Sequence, residues 1–178
     1  MIRTHIVTTA FVAAVMVPLS AQAEPQRAVQ EVMHYMDITA TCFDAAQERD
    51  DVAACVGQGA TICMDTEDSG YSTIGMMFCT LGEAEAWDRL LNRDYATAMA
   101  GMRRMDAQEA VNFPEFAVRA DSLRDAQRAW IPLRDAQCSL EYAMWGAGSM
   151  RQIAGASCKM NMTAERVIYL RFLGDAMR

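Results

Sequence analysis

Apolar residues recur at three- and four-residue intervals along most of the chain, a periodicity that predicts helices. From Ala28 to Glu48, the positions Val29, Val32 or Met33, Met36, Ala40 and Phe43 line one face of a first helix. Arg49-Asp50-Asp51 breaks the pattern, and Asp50 or Asp51 can cap a shorter helix through Val52, Cys55, Val56, Ala60 and Ile62. The run Asp65-Thr66-Glu67-Asp68-Ser69-Gly70 is acidic and turn-forming, so it reads as an exposed loop. Beyond Ser72 or Thr73, Met77, Leu81, Ala84, Asp88, Leu91, Tyr95, Ala98, Met102 and Met105 alternate spacings of four and three. That is the seam of a long bundle helix with one carboxylate in it.

Asp106 to Asn112 reads as a connection, and Pro114 suits the first turn of a fourth helix. The expected apolar face of that helix runs Phe116, Leu123, Ala126, Trp130, Leu133, Leu140 and Met144, until Gly146, Gly148 and Ser149 end it. Pro132 inside it removes a backbone donor, at a cost of about 3 kcal/mol or more unless packing compensates, and predicts a bend. The tail resumes from Ile153 to Cys158 and, after an expected cap at Thr163, continues through Val167, Leu170 and Leu173. No alternating strand pattern of useful length occurs, so the predicted fold is all-α, a disulfide-stapled bundle of about four to six helices.

The first 23 of the 178 residues change what the remainder must be. Arg3 and His5 precede an apolar stretch from Ile6 to Leu19, and Ala21-Gln22-Ala23 stands before Glu24. This is the pattern of a cleaved secretory signal, too short for the ~17–25 residues that span a bilayer. The expectation is therefore a signal peptide over 1–23 and a single helical domain over 24–178, periplasmic or secreted, with no membrane attachment after cleavage. The whole chain has 16 Lys+Arg against 23 Asp+Glu, a net charge of −7. Loss of Arg3 makes the balance more negative, which disfavours nucleic acid and leaves basic partners open.

All six cysteines lie in the exported part, where an even set is expected to be bridged. Antiparallel helices pair residues placed about equally far on either side of a turn. Cys138 and Cys158 flank Gly148 in this way, and Cys42 and Cys55 flank the break at Arg49-Asp50. Cys63 and Cys79 then close the acidic loop. The predicted bridges are 42–55, 63–79 and 138–158, each worth about 2–4 kcal/mol. A zinc site is the rival, but no Cys-x-x-Cys spacing exists and His34 is the one histidine beyond the leader.

Candidate chemistry is sparse. There is no nucleophile elbow, phosphate loop or metalloprotease motif, so the expectation is a non-enzymatic protein without a cofactor or a metal site. The chain has 15 methionines, with Met33/Met36 and Met99/Met102/Met105 at helical spacing. Thioethers bind Cu(I), which makes a copper-binding protein one alternative, but Met102 and Met105 fall on the seam, where they fill a core.

Asp88 occupies a seam position, and a buried carboxylate needs a partner; Arg134, one turn beyond Trp130, is the candidate. Around these residues the chain reads Trp87-Asp88, Leu91-Asn92 and Tyr95, then Ala126-Gln127-Arg128-Ala129-Trp130-Ile131, Arg134-Asp135-Ala136-Gln137-Cys138, a Gly-rich turn, Cys158, Thr163 and Arg166. This order and spacing, over Cys63 to Leu173, resembles the LprI-like lysozyme inhibitor family of small exported bacterial helical domains. Pro132 departs from the family pattern, as does the lack of the lipoprotein cysteine of the member that gave the family its name. The resemblance implies an exported binding protein that inhibits lysozyme or a related basic cell-wall glycoside hydrolase. A structural or interaction role in the envelope is the other reading. Asp88, Asn92, Tyr95, Gln127, Trp130, Arg134 and Asp135 are expected to form a buried polar network locking two helices, with a binding surface as the alternative. Two loops are candidate contacts for a partner. One carries Asp65, Glu67, Asp68 and Tyr71; the other, Gly146 to Arg151, offers Arg151 to an enzyme carboxylate.

Overall fold

The structure, a computed structural model, describes residues 26–173; the expected signal peptide lies outside the described residues. Among the described residues the fold is all-α, as the periodicity predicts. Four short helices come first: α1 (Arg27–Val32), α2 (Asp37–Ala45), α3 (Arg49–Ala53) and α4 (Gln58–Thr66). Three long ones follow: α5 (Thr73–Glu109), α6 (Arg119–Met144) and α7 (Met150–Arg171). Short 3-10 turns occupy Met33–Tyr35 and Pro114–Phe116.

The 37-residue α5 is the axis of the molecule. Ser72 caps it by accepting a hydrogen bond from the Gly75 N–H at 3.0 Å, satisfying one of the orphan donors of the first turn. Its most extensive neighbour is α7, while α1, α2 and α4 gather on its N-terminal half and α3 lies against α7. This double coverage shifts the buried face: of the expected seam only Ala84, Leu91 and Met102 are buried, and Cys79, Glu83, Trp87, Leu90 and Met99 are buried beside them. Leu91 and Met102 go into the main core with Ala164, Val167 and Ile168 of α7, and Trp87 and Leu90 also lie in it, beside Phe43 and Val52. Trp87 meets Phe43 edge-to-face, ring centres 5.8 Å apart and planes at 89°, a pair worth about 0.5–1.5 kcal/mol beyond the area buried. The α6 helix runs antiparallel to both long neighbours: Arg119 lies at Asp106 and Arg134 at Asp88, while Cys138 is bonded to Cys158.

All three bridges form as the hairpin geometry predicts, with Cα–Cα separations of 5.7, 5.6 and 5.3 Å for 42–55, 63–79 and 138–158. They tie α2 to the turn after α3, α4 to α5, and α6 to α7.

Several expected boundaries are corrected. The helix expected from Ala28 to Glu48 is interrupted by the 3-10 turn at Met33–Tyr35, although Met36 stays buried. The next helix is divided at Gly57, whose φ of +92° only glycine adopts without strain. Neither Asp50 nor Asp51 caps α3; both lie in its first turn. The expected connection from Asp106 is helical as far as Glu109, and Pro114 opens a 3-10 turn instead of α6. Thr163 is no cap: it is buried inside an unbroken α7, its hydroxyl donating to the Lys159 carbonyl at 2.7 Å. The largest correction concerns α6. Leu123 is buried and Trp130 packs on the core, but Phe116, Leu133, Leu140 and Met144 are exposed. Arg134 is where α6 still reaches α5, at Asp88, and beyond it the 138–158 bridge ties the helix to α7 while Leu140 and Met144 stay uncovered.

Candidate functional site

The residues of the tryptophan motif meet where α5, α6 and α7 converge. Two guanidinium groups approach the ring of Trp130 of α6, that of Arg134 5.0 Å from its centre and that of Arg166 of α7 5.8 Å away. Such contacts contribute about 0.5–1 kcal/mol when exposed and up to about 2 when desolvated. Arg134, only 12% exposed, reaches Asp88 of α5 at 3.7 Å and donates from Nε to Asp135 Oδ1 at 2.9 Å. The Asn92 amide holds Asp88 in turn, donating to its carbonyl at 3.0 Å and to Oδ2 at 3.2 Å. Arg166 donates from Nε to Gln127 Oε1 at 2.9 Å, and its buried Nη2 has no hydrogen-bond partner. Burial lowers the Arg166 pKa; the electrostatic influence of Tyr169 and Tyr95 works the other way.

These contacts link Asp88, Asn92, Trp130, Arg134 and Asp135, with Gln127 joined through Arg166, while Tyr95 packs against the main core; Asn92 and Asp135 are exposed, so the network is not the buried one expected. One premise is corrected: the Asp88 side chain is 42% exposed, so the seam does not bury a lone carboxylate. The cation is the sheltered member of the pair.

The acidic segment is braced, but the exposed loop expected from Asp65 to Gly70 is shorter: Asp65 and Thr66 form the last turn of α4, and Gly70 is buried. Tyr71 donates a short hydrogen bond from its hydroxyl to Asp65, and the Tyr35 hydroxyl donates to Glu67 Oε1 at 2.9 Å. Each carboxylate contact raises the pKa of its phenol. Asp65, Glu67, Asp68 and Tyr71 are all exposed. Charge is divided unevenly along the chain. Residues 26–72 carry Glu31, Asp37, Asp44, Glu48, Asp50, Asp51, Asp65, Glu67 and Asp68, every one exposed, against Arg27 and Arg49. Residues 73–173 hold as many basic as acidic side chains. The negative balance of the described protein therefore sits on α1 to α4.

The second candidate loop caps a hairpin. Every residue from Ser139 to Met150 is exposed. Arg151 donates from Nη1 to the Gly146 carbonyl at 3.3 Å and lies 5.4 Å from the Tyr142 ring centre, bracing the turn.

Sequence reasoning missed three charged side chains that hold the short helices and α6 in place. Glu83 of α5 is fully buried and accepts from Gly57 N at 2.6 Å, Ala60 N at 2.7 Å and the Trp87 indole at 2.9 Å. It is the N-terminal cap of α4, supplied from another helix. Asp106 does the same for α6, accepting from Arg119 N at 3.0 Å and Ala120 N at 2.8 Å. Arg171 donates to the carbonyls of Phe43 and Ala46 at the end of α2 and lies 4.3 Å from the Phe43 ring centre. The one signal for Glu83 was its position between Cys79 and Trp87 at four-residue spacing, a carboxylate on a buried face.

The six cysteines are bridged, His34 is exposed with its Nδ1 2.9 Å from the Glu31 carbonyl, and among the described residues no three His, Cys, Asp or Glu converge on a possible metal position. No described helix is long and apolar enough to cross a membrane.

Known proteins place the fold in a family. The lysozyme inhibitor LprI family matches residues 63–170, more than half of the chain, from the first cysteine of the 63–79 bridge to the end of α7. An uncharacterized protein of Rhizobium meliloti (strain 1021) is 30% identical over 105 residues, covering 59% of this chain and 76% of that protein. No solved structure matches. The matched stretch contains the Asp88–Arg134 pair, the guanidinium contacts of Trp130 and two of the three bridges, and on this basis the chain belongs to the LprI family of lysozyme inhibitors.

Proposed function

We propose that this protein acts outside the cytoplasm as a non-enzymatic inhibitor that binds a basic lysozyme-type glycoside hydrolase. The observation that carries the reading is the charge division: an exposed acidic surface on α1 to α4, joined to a nearly neutral bundle that carries the family motifs. An acidic face accelerates association with a basic enzyme and orients the encounter, an effect that salt screens over about 8–10 Å. The braced loop with Asp65, Glu67, Asp68 and Tyr71 belongs to this face. The Asp88, Asn92, Gln127, Trp130, Arg134 and Asp135 network serves as the clamp that sets α6 against α5 and α7. Three bridges suit an oxidising compartment, in keeping with the expected export signal.

The test is bacterial cell-wall lysis followed by turbidity, with a basic c-type lysozyme and micromolar protein. Lysis should slow, and less so as salt rises. Undiminished lysis at low salt with the folded, oxidised protein contradicts the proposal for that enzyme.

A further inference from the structure

Three sulfur atoms meet between α6 and α7. Met162 stands one turn beyond Cys158 on α7, and its Sδ lies 3.8 Å from the Sγ of Cys158 and 3.8 Å from that of Cys138 across the bridge. All three side chains are half-buried, whereas Cys55, Cys63 and Cys79 are fully covered. A shallow cleft opens on either face of the bridge. Cys138 lines one with Asp135, Tyr142 and Lys159; Cys158 and Met162 line the other with Glu141, Trp145 and Glu165. The methionines whose spacing suggested copper lie elsewhere: Met36, Met99 and Met102 are buried, and Met33 and Met105 pack against the cores.

While the bridge is closed neither cysteine is a metal ligand, because the ligand is the thiolate. A dithiol reductant changes this. One of its thiolates attacks a bridge sulfur, the other cysteine leaves as a thiolate, and the second reductant thiol resolves the mixed disulfide, so the reductant departs oxidised and the protein keeps two thiols. Their Cα atoms are 5.3 Å apart on packed antiparallel helices, which holds both cysteines beside the thioether. Thiolate and thioether are soft donors that select Cu(I); structural zinc takes four ligands from Cys, His and carboxylate, and this cluster has three sulfurs and no histidine. With metal–thiolate bonds of about 2.3 Å, three sulfurs around a trigonal ion stand about 4 Å from one another. Met162 already stands at that separation from both cysteines.

We infer that opening of the 138–158 bridge by a dithiol creates a Cu(I) site, with Cys138 and Cys158 as thiolate ligands and Met162 as the thioether ligand. Binding releases the two thiol protons and leaves one net negative charge, beside which Lys159 borders the Cys138 cleft. The site is independent of the hydrolase-inhibitor reading.

The experiment treats the oxidised full chain with dithiothreitol, removes the reductant by anaerobic desalting, and offers Cu(I) in competition with bathocuproine disulfonate, while alkylation mapping identifies the bridge that has opened. The expected result is that 138–158 opens first, that this form holds one Cu(I) with three sulfur neighbours by X-ray absorption, and that the oxidised chain holds none. Met162→Leu, of similar size, should lose one sulfur neighbour and about tenfold or more in Cu(I) affinity. Opening of 42–55 or 63–79 before 138–158, failure of the opened chain to retain Cu(I), or equal retention by the oxidised chain overturns the inference. So does a wild-type site with two sulfur neighbours, a measurement that stands whether or not Met162→Leu folds, or a folded Met162→Leu with wild-type affinity.

Discussion

Glu83 decides whether the acidic short helices stay docked on α5, and its replacement can be worked through from the contacts. One carboxylate oxygen, Oε1, accepts from Gly57 N at 2.6 Å and the Trp87 indole at 2.9 Å; the other, Oε2, accepts from Ala60 N at 2.7 Å. In Glu83→Gln an amide oxygen can retain the first two bonds, weakened by loss of the charge. The amide NH2 then faces the Ala60 N–H, donor against donor, in a site with no exposure. A buried donor left unpaired costs about 1–3 kcal/mol, and bonds to a charged acceptor are worth about 1.5–3 kcal/mol against about 1 for neutral ones. The sum is about 2–4 kcal/mol for Gln. Glu83→Leu leaves three donors unpaired and should cost about 4 kcal/mol or more, a large share of the 5–15 kcal/mol that holds an ordinary domain together. Trp87→Phe removes one donor and replaces a fully buried indole by a smaller ring, so its cost combines a lost hydrogen bond with a cavity while Gly57 and Ala60 keep their acceptor. The assay is urea unfolding of the oxidised protein followed by far-UV circular dichroism, supported by hydrogen exchange at Gly57 and Ala60. Those two amides should lose protection first in Glu83→Gln. A Gln variant within about 0.5 kcal/mol of wild type, with both amides still protected, would refute the capping argument.

Other perturbations follow from the same contacts. Burial opposes ionisation of Asp106, but the N–H groups of Ala120 and Arg119, with the Arg119 guanidinium, outweigh it and hold the carboxyl below the usual range. A depressed folded pKa gives stability that is present above the unfolded value near 4 and lost as pH falls through the folded value. Asp106→Asn should therefore lower the melting temperature at pH 7 and have little effect at pH 2; an equal drop at both would exclude the linkage. Because Asp88 is partly exposed, Arg134→Met strands no buried charge, and it should cost about 1–2 kcal/mol in urea unfolding instead of the 3–5 of a broken buried pair. Cys138 and Cys158 are half-exposed whereas Cys55, Cys63 and Cys79 are buried, so alkylation mapping under rising reductant should find 138–158 open first. Earlier opening of 63–79 would contradict that order.

What the sequence revealed depended on how locally each feature is encoded. The α5 helix was legible because its seam repeats over nine positions and Ser72 marks its start. The bridges were legible because hairpin symmetry is a property of spacing alone. The buried faces were less so. Leu133, Leu140 and Met144 keep a helical apolar spacing, but spacing states that a face is apolar and not that another helix covers it; all three are exposed. Glu83 and Asp106 act on helix starts 23 and 13 residues away, so neither matches a local capping signature. Gly57 carried no marker of its left-handed conformation, and the helix through Cys55 to Ile62 was read straight across it. Of the candidate site, Asp88, Arg134 and Trp130 lie in contact, but helical spacing did not state that Asn92 and Asp135 stay exposed. The hairpin end was half legible: Arg151 was singled out, while Leu140 and Met144, both exposed, were read onto the apolar face of α6.

The central claim, that an acidic body guides this chain onto a basic lysozyme-type enzyme and inhibits it by binding, is tested most directly by association kinetics. The measurement is the on-rate with a c-type lysozyme between about 20 and 300 mM salt, for wild type and for Glu48→Lys/Asp50→Lys/Asp51→Lys, beside the turbidity assay. The account predicts an on-rate that falls steeply with salt in wild type, is slower and flatter in the lysine variant, and leaves the off-rate nearly unchanged. A wild-type on-rate independent of salt and equal to that of the variant would contradict it.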